Sequence, residues 1–152
     1  YATGRDAASG TRITTFAETA TSQTAVSQYQ PVVASGAVTS LGTLGASGFS
    51  SGSGVKTVIN ATYSGGIIVG YLGASDWTTD TDSTTGRSLS FNGVTYSQAA
   101  LYNGQYTFWG YLHQFHQGVT GTTLNFHNAL RDAIIATPGS GLEPVGNMNC
   151  SR

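Results

Sequence analysis

One run constrains this chain more than any other: Ile67-Ile68-Val69-Gly70-Tyr71-Leu72, continuous in apolar character and bounded by glycines. Its length is that of a strand, and its unbroken apolarity suits a strand buried on both faces, as in a sheet between helices. Helical patterns lie on either side of it. Ile13, Phe16, Ala17 and Ala20 repeat at i, i+3, i+4 and i+7, with Ser9 or Thr11 placed to cap the helix start. Val55, Val58, Ile59 and Thr62 make a shorter stripe, opened by Ser51 or Ser53 and closed by Gly65-Gly66. A third helix is expected over Leu124 to Ala136. Phe126, Leu130, Ala133 and Ile134 line one side, Thr122 or Thr123 opens it, and Pro138-Gly139 stops it. Leu89 and Phe91 alternate with serines before Asn92-Gly93, a strong hairpin-turn signal. Tyr106 to Tyr111 reads as a strand running into helix, Tyr29 to Val33 as partly extended, and residues 35–54 as mostly loop. This order predicts a mixed α/β domain over residues 1–140, a mixed sheet flanked by helices, with an extended tail over 141–152.

Charge narrows the function classes. Only 9% of the 152 residues are charged, against roughly 25% in an average domain. Lys56 is the only lysine, and the net charge is −1. Nucleic-acid binding by counterion release needs a basic surplus, which this chain lacks. No stretch approaches the roughly 20 apolar residues of a membrane helix, so no membrane insertion is expected. Glycine, serine and threonine replace the usual charged surface, as in secreted or cell-surface bacterial proteins. The first residue is Tyr1 rather than Met, which predicts a processed or trimmed N-terminus. Cys150 is the sole cysteine, so neither an internal disulfide nor a cysteine-based zinc site is available.

The stretch that carries chemistry is Gly4-Arg5-Asp6-Ala7-Ala8-Ser9-Gly10-Thr11-Arg12. A loop with hydroxyls and arginines runs directly into a helix N-terminus. The first helical amides have no intrahelical partner, and the macrodipole adds partial positive charge there. Ser9 and Thr11 add hydroxyl donors, Arg5 can contact an oxyanion with two parallel bonds, and Gly10 permits close backbone approach. Together these parts can form an anion site without net positive protein charge. A capped helix with surface arginines is the plainer reading of the same residues.

Residues 4–18, GRDAASGTRITTFAE, resemble the phosphate-binding proteins of bacterial ABC importers, many of which carry Arg-Glu-x-Gly-Ser-Gly-Thr-Arg before a helix with Phe and Glu. The similarity continues in order through Ser51 to Trp77, Leu89 to Gly104, Gln105 to His116 and Leu124 to Thr137. The resemblance implies one lobe, the second, of a type II periplasmic binding protein, whose ligand sits between two lobes. A second lobe or chain would then complete the cleft. It implies that Arg5, Ser9, Gly10 and Thr11 face the anion, with Arg12 and Asp6 beside them. Asp6 stands at the family's Glu position and is expected to pair with Arg5 or Arg12; its other possible role is to accept a proton from phosphate. Ala8 replaces a family glycine, which reduces loop freedom. Ser51 and Ser53 fall in a region resembling a secondary contact. The expected function is extracytoplasmic, non-enzymatic capture of a tetrahedral oxyanion, phosphate first, by a periplasmic, secreted or cell-surface protein with no cofactor. The alternative is a structural or adhesive surface module of the same fold that no longer binds anion.

Other constellations are weaker. His113 and His116 stand three apart, with His127 and Asp132 following, but no zinc spacing matches, and no metal site is expected. Asp76, Asp80 and Asp82 lack the glycine register and terminal Glu of a calcium loop. No Gly-x-Ser-x-Gly elbow supports a serine hydrolase. Trp77, Tyr106, Trp109 and Tyr111 suit core packing as well as they suit a sugar- or partner-binding face.

Overall fold

The computed structural model describes residues 1–22, 26–77, 85–111, 113–138 and 142–149. It is a small mixed α/β arrangement with four helices and one two-stranded antiparallel sheet among the described residues. The helices are α1 (Gly10–Glu18), α2 (Gly52–Ile59), α3 (Gln98–Tyr102) and α4 (Gly121–Ala136), and the sheet joins β1 (Val32–Ala34) to β2 (Ala37–Ser40).

The extended N-terminal segment organises the fold. Its alternate backbone groups face opposite edges, as a strand requires. On one edge the Thr3 amide donates to the Val69 carbonyl at 2.9 Å, and the Val69 amide donates to Tyr1 at 2.9 Å. On the other edge Tyr29 donates to Ala2 at 2.8 Å, Phe49 donates to Gly4 at 2.9 Å, and Asp6 donates to Phe49 at 3.0 Å. All three pairings are parallel. The apolar run at 67–72 therefore differs from its expectation. Residues 1–3 are its one backbone neighbour among the described residues, so it lies at an edge, and Ile67 is 77% exposed.

Three of the four helices start where hydroxyl side chains cap them. The Arg12 amide donates to Ser9 Oγ at 3.4 Å, the Gly54 amide to Ser51 Oγ at 3.4 Å, and the Ala100 amide to Ser97 Oγ at 3.1 Å. Each cap satisfies one amide that the helix itself leaves open. The buried face of α1 is Arg12, Thr15 and Phe16; of the expected Ile13, Phe16, Ala17 and Ala20, Phe16 alone is buried. Ile13 is exposed, and Ala20 lies beyond the helix end at φ +52°. A buried arginine shifts the stripe by one residue because its charged end finds carbonyl partners inside. Helix α2 buries Val55 and Val58 as expected, but ends at Ile59. Thr62 pairs with Ala37 instead, so Gly65-Gly66 is not the helix stop.

Asn92-Gly93 forms its turn, with φ of +50° and +80° and Phe91 bridged to Val94. The β1–β2 hairpin replaces part of the expected loop. Its turn is Ser35-Gly36, at φ +50° and +76°, the left-handed pair that tight hairpins favour. Residues 106–111 are neither helix nor strand, and α3 arises just before them. Helix α4 spans Gly121–Ala136 with Thr120 at its cap position, and none of its residues is buried as a whole. Phe126, expected to line a packed face, is 68% exposed.

The tail is tied to α3. The Asn149 amide donates to the Tyr102 carbonyl at 2.7 Å, and the Glu143 carboxylate accepts from the Tyr102 hydroxyl and the Gln98 amide. Those two bonds hold the Glu143 carboxyl below the ordinary glutamate range, against a smaller upward push from burial. A carboxyl shifted downward stabilises the docked state above that range, and the contribution disappears as pH falls through the folded value. Hydrogen exchange at the Asn149 amide is therefore expected to quicken as pH falls below the ordinary glutamate range, beyond the intrinsic pH effect on exchange. The same acid dependence of protection in Glu143→Gln would reject this anchoring role.

Candidate functional site

The loop before α1 is built on carbonyls. Arg12 is 7% exposed, and its guanidinium donates from Nη1 to the Arg5 carbonyl at 2.9 Å and to the Ser47 carbonyl at 3.4 Å. Its carbon end rests 5.0 Å from the centroid of the Phe16 ring, a cation–π distance. Gln28, also buried, donates from Nε2 to the same two carbonyls at 3.0 and 2.9 Å. Two side chains from different elements thus clamp residue 5 to residue 47. Gly48 lies at φ +94° inside this clamp, where a Cβ would stand 2.2 Å from Gln28 Nε2.

Arg5 is half-buried and also points at carbonyls. Its Nε donates to Phe49 at 3.2 Å and its Nη2 to Ser50 at 3.0 Å. These carbonyls directly precede Ser51, the cap of α2. The Arg5 amide donates to the Tyr71 hydroxyl at 3.2 Å. Gly4 is required beneath that ring, because a Cβ there would lie 2.5 Å from it. Burial raises the Tyr71 hydroxyl above its ordinary range, while the Arg5 amide and the charges of Arg12 and Arg5 pull it down.

Ser9, Gly10 and Thr11 form the first turn of α1. Ser9 is buried, and its Oγ is committed to the Arg12 amide. Gly10 is exposed, Thr11 is half-exposed, and neither amide has an acceptor among the described residues. Thr11 Oγ1 faces a notch shared with α2. A carbon placed on Gly73 would stand 3.9 Å from Thr11 Oγ1, 3.7 Å from Ser75 Oγ and 3.8 Å from Asp76 Oδ2. The same Asp76 carboxylate presses on Gly52, in the first turn of α2, where a Cβ would lie 1.8 Å from Oδ2. Ser51 Oγ and Ser53 Oγ hydrogen-bond to each other at 2.8 Å.

Several expectations change here. Arg12 is a buried clamp rather than a group facing the notch, because its guanidinium is taken up by interior carbonyls. Arg5 aims toward the start of α2, since the carbonyls of residues 49 and 50 capture it. Asp6 was expected to pair with an arginine. Among the described residues the one ion pair is Arg131–Asp132 on the surface, so Asp6 acts through its backbone, accepting from the Ser9 amide at 3.2 Å. Sequence reasoning passed over Gln28, Tyr71 and Asp76, which reach the site from distant segments. Only the glycines at 48, 52 and 73 hint locally at close approach.

The histidines do not converge. His116 and His127 rings meet at 4.4 Å, while His113 stacks with Tyr111 and Phe115. Among the described residues no group of three or more His, Cys, Asp or Glu side chains can hold a metal. Asp80, Asp82 and Cys150 lie outside the described residues. No helix among the described residues is long and apolar enough to cross a membrane. No family model, curated protein or solved structure matches the chain.

Proposed function

We propose that this chain is a lobe of an extracytoplasmic binding protein that captures a tetrahedral oxyanion, phosphate first, at the N-terminus of α1. The reading rests on one observation: the Gly10 and Thr11 amides stand open at an accessible helix start, with the Thr11 hydroxyl beside them. Open amides and the helix dipole favour an anion there. Arg5 adds positive charge beside the carbonyls that precede α2. It has donated only from Nε and Nη2 among the described residues. Arg12 and Gln28 act beneath the site by fixing the loop. The resemblance to phosphate-binding proteins of ABC importers supports the same ligand, a periplasmic or cell-surface location and a second lobe or chain that completes the cleft. No step in this capture is enzymatic.

Asp76 Oδ2 and Thr11 Oγ1 both lie within 4 Å of a carbon placed on Gly73. A carboxyl oxygen there can accept the proton that phosphate carries and sulfate lacks. Phosphate is therefore preferred to sulfate. Calorimetry with both ions tests the reading. Phosphate is expected to bind weakly, with a Kd on the order of 1 mM, because one lobe supplies only part of a hydrogen-bonding shell. Thr11→Val and Arg5→Gln are each expected to weaken binding about five- to tenfold. Heats equal to dilution for both ions, with a completing lobe also supplied, reject the proposal.

A second reading has its own support. Both arginine side chains are engaged by backbone carbonyls, which suits a structural or adhesive module that keeps the loop and no longer takes up anion. The same titration separates the two readings.

A further inference from the structure

A groove of about 550 Å³ lies between α3, residues 109–111, the end of α4 and the tail. That volume falls in the range of sites that enclose a small molecule. We propose that it binds an organic ammonium ion with an apolar body. Trp109 and Tyr111 both line it, with ring centroids 5.2 Å apart and planes at 85°. The two rings meet edge to face, and the ring face this contact leaves uncovered can attract a cation; methylated ammonium groups suit such a surface because they carry little hydration. Ile134 and Met148 supply apolar surface for the rest of the ligand.

The charge balance of the groove selects the sign of the ligand. Glu143 is the one acidic residue among the described lining residues, and no Lys, Arg or His is among them. Its carboxylate already accepts from Tyr102 and Gln98, which favours the ionised form at neutral pH. A carboxylate has about four lone-pair sites, so these two bonds leave room for electrostatic contact with a cation. Anions find no positive partner among the described lining residues. The proposal is independent of anion capture at α1 and stands or falls by itself.

The test uses benzyltrimethylammonium and its uncharged carbon isostere, neopentylbenzene, followed by calorimetry and by the indole N–H resonance of Trp109, assigned with Trp77→Phe. The cation is expected to bind about fivefold or more tighter than the isostere and to shift the Trp109 signal. Glu143→Gln is expected to erase that preference; the ratio of the two affinities is the readout, because the same carboxylate also docks the tail that walls the groove. Ile134→Trp fills the groove and is expected to block both compounds. Equal affinity for the two compounds in the unmodified protein overturns the proposal. So does an unaltered preference in Glu143→Gln, undiminished binding in Ile134→Trp, or a Trp109 signal that does not move.

Discussion

Replacing Gly48 by alanine is expected to destabilise the protein by about 3 kcal/mol or more, among the largest effects of any single substitution. Gly48 sits at φ +94°, a region that L side chains rarely adopt, and this strain alone costs on the order of 1–3 kcal/mol. The added methyl would also stand 2.5 Å from the Arg5 carbonyl, which is backbone and cannot swing aside, as well as against the Gln28 amide. Displacing Gln28 removes a donor from two sheltered carbonyls. A thermal melt should show a fall on the order of 6–12 °C. Gly10→Ala is the matched control. It lies in a helix with nothing within 4 Å of a new Cβ, so it should be neutral or slightly stabilising. Equal melting temperatures for the two variants would show that the loop over residue 48 is not packed as described.

Arg12→Met should cost about 2–4 kcal/mol in urea denaturation. Methionine keeps apolar contact with Phe16 but removes both bonds to the carbonyls of Arg5 and Ser47. Arg12→Lys restores charge but not the planar fork, and should recover only part of the loss. Because Gln28 donates to the same two carbonyls, Arg12→Met and Gln28→Ala are expected to be non-additive, with a coupling of about 0.5–3 kcal/mol. A cost within about 0.5 kcal/mol of zero for Arg12→Met would mean that the clamp contributes nothing.

Local chemistry made part of this legible from the sequence. Ser9 and Ser51 cap helices because their oxygens take amides a few residues on, a relation that spacing reveals. Asn92-Gly93 turns for the same kind of reason, since both residues tolerate positive φ. The Ser35-Gly36 hairpin carried a comparable local signal, weaker because only one of its residues is a usual left-handed former. What sequence could not reveal was which polar groups go inside. Arg12 reads as a surface arginine until carbonyls from residues 5 and 47 are brought to it. Gln28 and Asp76 join the site through chain crossings, and no periodicity records a crossing. The run at 67–72 misled for the opposite reason. Apolar character describes what a segment tolerates, whereas burial on two faces needs neighbours on both, and Val69 has a parallel neighbour on one edge.

Helix α4 makes the molecule uneven. The first two-thirds of the chain has Val55, Val58 and Phe16 buried, while no residue of α4 is buried as a whole, although its His127 ring nitrogens are shielded from solvent. A helix of that length is marginal on its own in water. Heat should therefore dismantle this protein in two tiers, with α4 fraying at temperatures where the arginine-braced end is still intact. One melting temperature would describe neither tier.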